Sequence, residues 1–225
     1  MLLKNEGALL PLAAGTKVAI IGDFAKNPRY QGAGSSMVNS TQVDVLLNKL
    51  IDSELNVIGY QQGFDRHGKP DAALQKSACE LATQANTVIL CMGLDEIAES
   101  EGLDRSNMSL AQNQVELLQA VKAVNTKIVV VLYSGSVVET PWLDNCKALL
   151  YAALGGQAGA GAVADALTGQ VNPCGKLAET WPLTYADVPS AANFATRRKT
   201  VEYREGLYIG YRYFTTAEKA VRFPF

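Results

Sequence analysis

Apolar side chains recur along this chain with two periods. Residues 17–23, 87–93, 127–133 and 148–154 are short, almost uninterrupted apolar runs, and residues 56–60 form a weaker one. Runs of this length and continuity predict strands buried on both faces. Between them the apolar positions fall three and four apart, the spacing of one helical face. Residues 39–54 predict a helix capped by Asn39 or Ser40, with Val43, Leu46, Leu47 and Leu50 on its inner side. Residues 70–85 predict a second, with Pro70 near its first turn and a stripe of Ala73, Leu74, Ala78 and Leu81. Residues 109–125 carry Leu110, Val115, Leu118 and Val121 inward, and 157–168 predict a fourth helix. Residues 176–181 predict a last strand. Strands alternating with helices imply an α/β fold: a mostly parallel six-stranded sheet sandwiched between helices.

This pattern fades after residue 182. Residues 183–225 hold Pro189, the cations Arg197, Arg198 and Lys199, and the aromatic run Tyr203, Tyr208, Tyr211, Tyr213 and Phe214. The division predicted is an α/β sandwich over 1–182 and an irregular aromatic and basic tail over 183–225. Its aromatic content argues against disorder and for packing on the sandwich or on a partner domain. Both ends of the chain read as cuts through a larger protein.

Composition narrows the function. At 225 residues, 48% hydrophobic and 19% charged, the chain can bury a substantial core. A net charge of −2 with no basic stripe makes nucleic acid an unexpected partner. No apolar run is long enough to span a membrane and no signal peptide is evident, which weakly favours a cytoplasmic location. Cys79, Cys91, Cys146 and Cys174 lie far apart with no CxxC, arguing against zinc and a disulfide framework. The single histidine, His67, excludes a histidine-rich metal site, and no serine sits in a GxSxG elbow. Neither a metal nor a cofactor is expected.

In parallel sheets the functional loops lie beyond the carboxyl ends of the strands. Here those loops are 24–36, 93–105, 134–142 and 155–161. The most informative is Gly93-Leu-Asp-Glu-Ile-Ala-Glu-Ser-Glu-Gly-Leu-Asp-Arg105, which packs Asp95, Glu96, Glu99, Glu101 and Asp104 around one cation, Arg105. Crowded carboxylates raise one another's pKa, as a carboxylic general acid near neutral pH requires. The competing reading is a solvated loop or helix start, where acidic residues are common. Gly159-Ala-Gly-Ala-Val-Ala164 matches GxGxxA, but it falls after four strands with no second nucleotide-binding half behind it. Small residues that let a helix approach the sheet explain residues 155–161 equally well.

Several segments resemble a known family in order along nearly the whole chain. They are Leu3-Lys-Asn-Glu-Gly7 with Leu10-Pro-Leu12, Gln31-Gly-Ala-Gly-Ser-Ser36, Glu99-Ser-Glu-Gly-Leu-Asp-Arg105 and Glu139-Thr-Pro-Trp142. Pro173-Cys-Gly-Lys-Leu-Ala-Glu-Thr-Trp-Pro182 and Val201-Glu-Tyr-Arg-Glu-Gly206 with Gly210-Tyr-Arg-Tyr213 complete the set. They look like the second, α/β-sandwich domain of glycoside hydrolase family 3, β-glucosidase type.

The resemblance implies a (β/α)8 barrel domain preceding residue 1, which carries an aspartate nucleophile, and a β-glycoside or oligosaccharide substrate bound between the two domains. It implies that this domain lends a glutamate as general acid/base. Distance from the strand points to Glu96; proximity to the Gly-x-Asp-Arg element makes Glu101 its rival, and Glu99 is third. The family's glycine–serine loop contacts the sugar, which carries over to Gly34 and Ser35. Asp104 and Arg105 are expected to support the acidic loop. An isolated domain of this kind should fold, bind sugar weakly and not turn it over. Two other classes remain open: a non-catalytic carbohydrate-binding or regulatory module of the same fold, and a dinucleotide-binding α/β protein using residues 159–164. A phosphorylase variant of the family would use histidine as acid/base, and His67 lies in a different loop.

Overall fold

The computed structural model describes residues 1–194 and 199–225; the predicted basic run therefore lies outside the described residues at Arg197 and Arg198. In chain order the main elements are β1 (Leu2–Asn5), β2 (Lys17–Ile21), α1 (Leu46–Ile51), β3 (Asn56–Gln61), α2 (Ala72–Ala82), β4 (Thr87–Gly93), α3 (Gln112–Val124), β5 (Ile128–Tyr133), β6 (Ala148–Tyr151), α4 (Gly159–Thr168), β7 (Trp181–Pro182), α5 (Tyr211–Thr216) and β8 (Val221–Phe223). Six strands form the main sheet in the order β1-β6-β5-β4-β2-β3, all parallel except β1, which runs antiparallel to β6. The α/β architecture and the strand number expected from the sequence hold.

Val18 to Ile21, Val88 to Met92 and Ile128 to Leu132 are fully buried, as continuous apolar strands between two helical layers must be. α1 packs on α4 and α2 on α3. The chain steps from β2 outward to β3, then crosses back to β4 on the other side of β2. Right-handed crossovers in opposite directions place the intervening helices on opposite faces.

This reversal creates a switch point between the carboxyl ends of β2 and β4, where loops diverge and a crevice opens. Backbones approach closely there: Gly22 has φ +112°, and a Cβ on it would stand 2.1 Å from the Cys91 carbonyl oxygen. Only glycine fits.

Three predicted boundaries shift. The sixth strand of the sheet is β1, not residues 176–181; Leu2–Asn5 takes the free edge of β6. The predicted last strand shrinks to Trp181–Pro182, which pairs with β8 in a separate two-stranded ribbon. The ribbon is tied to the main sheet by Trp181, whose ring packs edge-on against Tyr151 at 5.1 Å and Phe223 at 5.7 Å. The helix predicted over 39–54 survives only as α1, because the chain before it is drawn across the neighbouring turn, with the Asp44 N–H donating to the Gln157 carbonyl. No helix among the described residues is long and apolar enough to cross a membrane.

Candidate functional site

Three of the four loops beyond the strand ends close around one open cavity of about 660 Å³. Its walls include Gly32, Ala33 and Ser36 from the loop after β2, and Glu99, Glu101, Asp104 and Arg105 from the acidic loop. Gly135 and Ser136, after β5, also line it. The first two loops leave the sheet on either side of the switch point and meet again above it. Ala33 and Ser100 form a parallel bridge, and the Glu101 N–H donates to the Ala33 carbonyl at 3.1 Å.

The acidic loop does not run straight out from β4. Gln114, 1% exposed, holds the Gly93 N–H and carbonyl with its side-chain amide, each at 2.9 Å. The Asp95 carboxylate then accepts from the Ile97 and Ala98 N–H groups, an Asx turn that folds residues 95–99 back. Its other oxygen lies 2.8 Å from His67 Nδ1.

This turn sends the three glutamates to different places. Glu96 faces away from the cavity, in a two-pronged pair with Arg66: Nε donates at 3.0 Å and the adjacent terminal nitrogen at 2.5 Å. Arg66 also holds Asp23, stacks 4.5 Å over the Phe24 ring and donates to the Asn27 carbonyl. Burial alone would push the Glu96 carboxyl up, but the Arg66 hydrogen bonds and charge outweigh it and hold the group below the usual glutamate range. Glu99 also lines the cavity but is tied down there, accepting from the Gly135 N–H at 2.8 Å and from the Ser136 hydroxyl. Glu101 is exposed on the cavity wall, where its carboxylate accepts from the Ser35 hydroxyl at 2.6 Å and, among the described residues, pairs with no cation.

Gly34 makes that approach possible. Its φ of +93° suits glycine, and a Cβ there would stand 3.0 Å from the Glu101 Cβ. Ser35 and Gly34 are exposed at the rim of the acidic loop. Arg105 reaches the loop after β5, donating to the Ser136 hydroxyl at 2.8 Å and the Val137 carbonyl at 3.2 Å. Burial lowers its pKa, and the Glu99 charge opposes that shift. Asp104 does not share this support; it is exposed on the cavity wall with no hydrogen bond or ion pair among the described residues.

Arg29, Arg66 and Gln114 shape the site without having stood out in the sequence. Arg29 was visible beside the glycine–serine loop, but only its 2% exposure marks it as structural. The GxGxxA turn holds no comparable space. Its glycines border a void of about 10 Å³, covered by Tyr30 and Asp44, too small for a nucleotide. Among the described residues no cluster of three or more His, Cys, Asp or Glu is arranged to hold a metal ion.

A family model for the glycosyl hydrolase family 3 C-terminal domain matches residues 1–211. Thermostable beta-glucosidase B of Acetivibrio thermocellus is 44% identical over the whole chain, and an exo-alpha-(1->6)-L-arabinopyranosidase of Bifidobacterium breve is 42% identical. The chain spans 30% and 31% of the length of these relatives. Among solved structures, a GH3 beta-glucosidase from Bifidobacterium adolescentis superposes with a TM-score of 0.95 at 46% identity, covering all of this chain and 33% of that one.

Proposed function

This chain belongs to glycosyl hydrolase family 3 as its C-terminal domain, and from that premise we propose that it supplies Glu101 as the general acid/base of a retaining β-glucosidase-like enzyme. The nucleophile of that enzyme is an aspartate on a (β/α)8 barrel domain of the same parent protein, and the substrate is a β-glycoside held between the two domains. The relatives' greater length is consistent with such a partner domain.

The observation that carries the assignment is the difference in partners along one loop. Glu101 alone among the three glutamates is exposed on the cavity wall with a hydroxyl as its side-chain partner. Glu96 is neutralised by Arg66 and Glu99 is used up holding the loop after β5. A general acid must exchange its proton twice per turnover, which an arginine-chelated carboxylate resists. A serine hydroxyl can rotate to donate to the carboxylate or accept from the acid.

In the first step the protonated Glu101 donates to the departing glycosidic oxygen while the barrel aspartate attacks the anomeric carbon. The glycosyl–aspartate ester forms and the aglycone leaves as an alcohol. In the second step the Glu101 carboxylate takes a proton from water, whose oxygen displaces the aspartate with net retention. Such pairs stand about 5–5.5 Å apart, and two carboxyl groups that close favour keeping one proton between them. Gly34 and Ser35 form the rim that meets the sugar. Among the described residues of the tail Val201, Tyr203 and Leu207 are exposed, and they form the side turned to the barrel.

The test is a chimera in which this chain replaces the matching third of the Bifidobacterium adolescentis enzyme. The chimera should hydrolyse an aryl β-glucoside while the chain alone does not. A chimera that folds and binds glucose without turnover would favour the non-catalytic module, and turnover by the chain alone would refute the shared site.

A further inference from the structure

One buried cation anchors the roots of both cleft loops. Arg29 stands near the start of the loop after β2 and is 2% exposed. A charge removed from water to that degree is tolerated only when its donors are satisfied. Its Nε donates to the Leu94 carbonyl at 3.3 Å, one terminal nitrogen to the Gln31 carbonyl, and the other to the Glu99 carbonyl at 2.9 Å. The last nitrogen also faces the Glu99 carboxylate at 3.5 Å.

These acceptors are not scattered. Gln31 opens the glycine–serine segment, while Leu94 and Glu99 bracket the Asx turn of the acidic loop. Just beyond Gln31 and Glu99 the loops meet again, in the Ala33–Ser100 bridge and the Ser35–Glu101 hydrogen bond. Glu99, held from one side by Arg29, reaches the other way to the Gly135 N–H and the Ser136 hydroxyl. One guanidinium and one carboxylate thus join the loops after β2, β4 and β5.

We propose that Arg29 is a positioning residue: through Glu99 it sets residues 31–35 against residues 99–101 and so fixes where the Glu101 carboxylate stands. This builds on the assignment of Glu101 as acid/base. The role needs the planar fork of arginine, whose donors point along fixed directions to three carbonyls; a lysine ammonium on a flexible stem cannot span them. A residue that merely stabilised the fold would act on sheet and loops together. A clamp acts on the loops alone, because its partners all lie beyond the strand ends.

Amide hydrogen exchange on this chain separates the two. In Arg29→Lys, the N–H groups of Glu101 and Gly135 should exchange at least ~10-fold faster, while those of Leu90 and Val130 in the central strands stay within about twofold of wild type. Glu99→Ala removes both acceptors and carries the same test if Arg29→Lys does not fold: it should release the Gly135 N–H, and the Glu101 N–H with it. Unchanged protection at both loop amides, or acceleration of loops and central strands together, would overturn the proposal. In the chimera, Arg29→Lys should lower kcat by about 10²-fold with KM within about twofold, the cost of displacing a catalytic group by roughly 1 Å. Loosened loop amides with kcat unchanged would leave the clamp standing and refute the assignment of Glu101 instead.

Discussion

Glu96 and Glu101 sit five residues apart in one loop and share a side chain, yet their surroundings differ in every respect that matters to proton transfer. Glu96 is packed against Arg66, which also holds Asp23 and covers Phe24, so its charge serves the structure. Glu101 stands on the cavity wall beside a serine hydroxyl. An acidic cluster is therefore not a set of interchangeable carboxylates: among the described residues, arginines pair with Glu96 and Glu99 and none pairs with Glu101.

The comparison breaks most sharply in catalysis. In the chimera, Glu101→Ala should lower kcat by about 10³-fold, within the range of general acid/base contributions, whereas Glu96→Ala should cost less than about tenfold. Steady-state kinetics on an aryl β-glucoside would measure both; equal losses would erase the distinction.

Stability should reverse the ranking. Arg66→Met strands the nearly buried Asp23 and the half-buried Glu96, and urea denaturation of the chain should register about 3 kcal/mol of destabilisation. Glu101→Ala should change stability by no more than about 0.5 kcal/mol, as for an exposed side chain. Gly34→Ala places a methyl 3.0 Å from the Glu101 Cβ at a positive φ, and should cost about 1–2 kcal/mol by the same assay.

The smallest effect is in pH. The folded state holds the Glu96 carboxyl below its unfolded pKa, so the unfolded chain binds the proton more tightly. The stability from this group is fully present above about pH 4.3 and is lost as pH falls through the lower folded value. Glu96→Gln should flatten that part of the acid limb. The difference should stay below about 1 kcal/mol because the side chain is 41% exposed and solvent-screened. An acid limb identical in the two proteins would contradict the arginine pairing.

Sequence and structure agree where one physical signal dominates. The apolar runs of β4 and β5 read as buried strands, and the acidic loop beyond β4 lines the cavity at the strand ends. Agreement fails where the deciding partner is distant. Leu2–Asn5 has two apolar residues in four, and only the free edge of β6 makes it a strand. Residues 176–181 have strand-like composition but no free partner in the main sheet. Counting outward from β4 says nothing of where each glutamate points, because the Asx turn at Asp95, which sets Glu96 against Arg66, is invisible to counting. The arginines that sort the glutamates lie 30 residues away in one case and 70 in the other, beyond any local pattern.

Azide rescue in the chimera tests the central claim most directly. Azide is an anionic nucleophile that needs no general base, so it replaces water only where the lost residue was the acid/base. With an aryl β-glucoside of good leaving group, azide should restore turnover to Glu101→Ala and release a β-glycosyl azide, while leaving Glu96→Ala unaffected. Rescue of Glu96→Ala and not of Glu101→Ala would contradict the account.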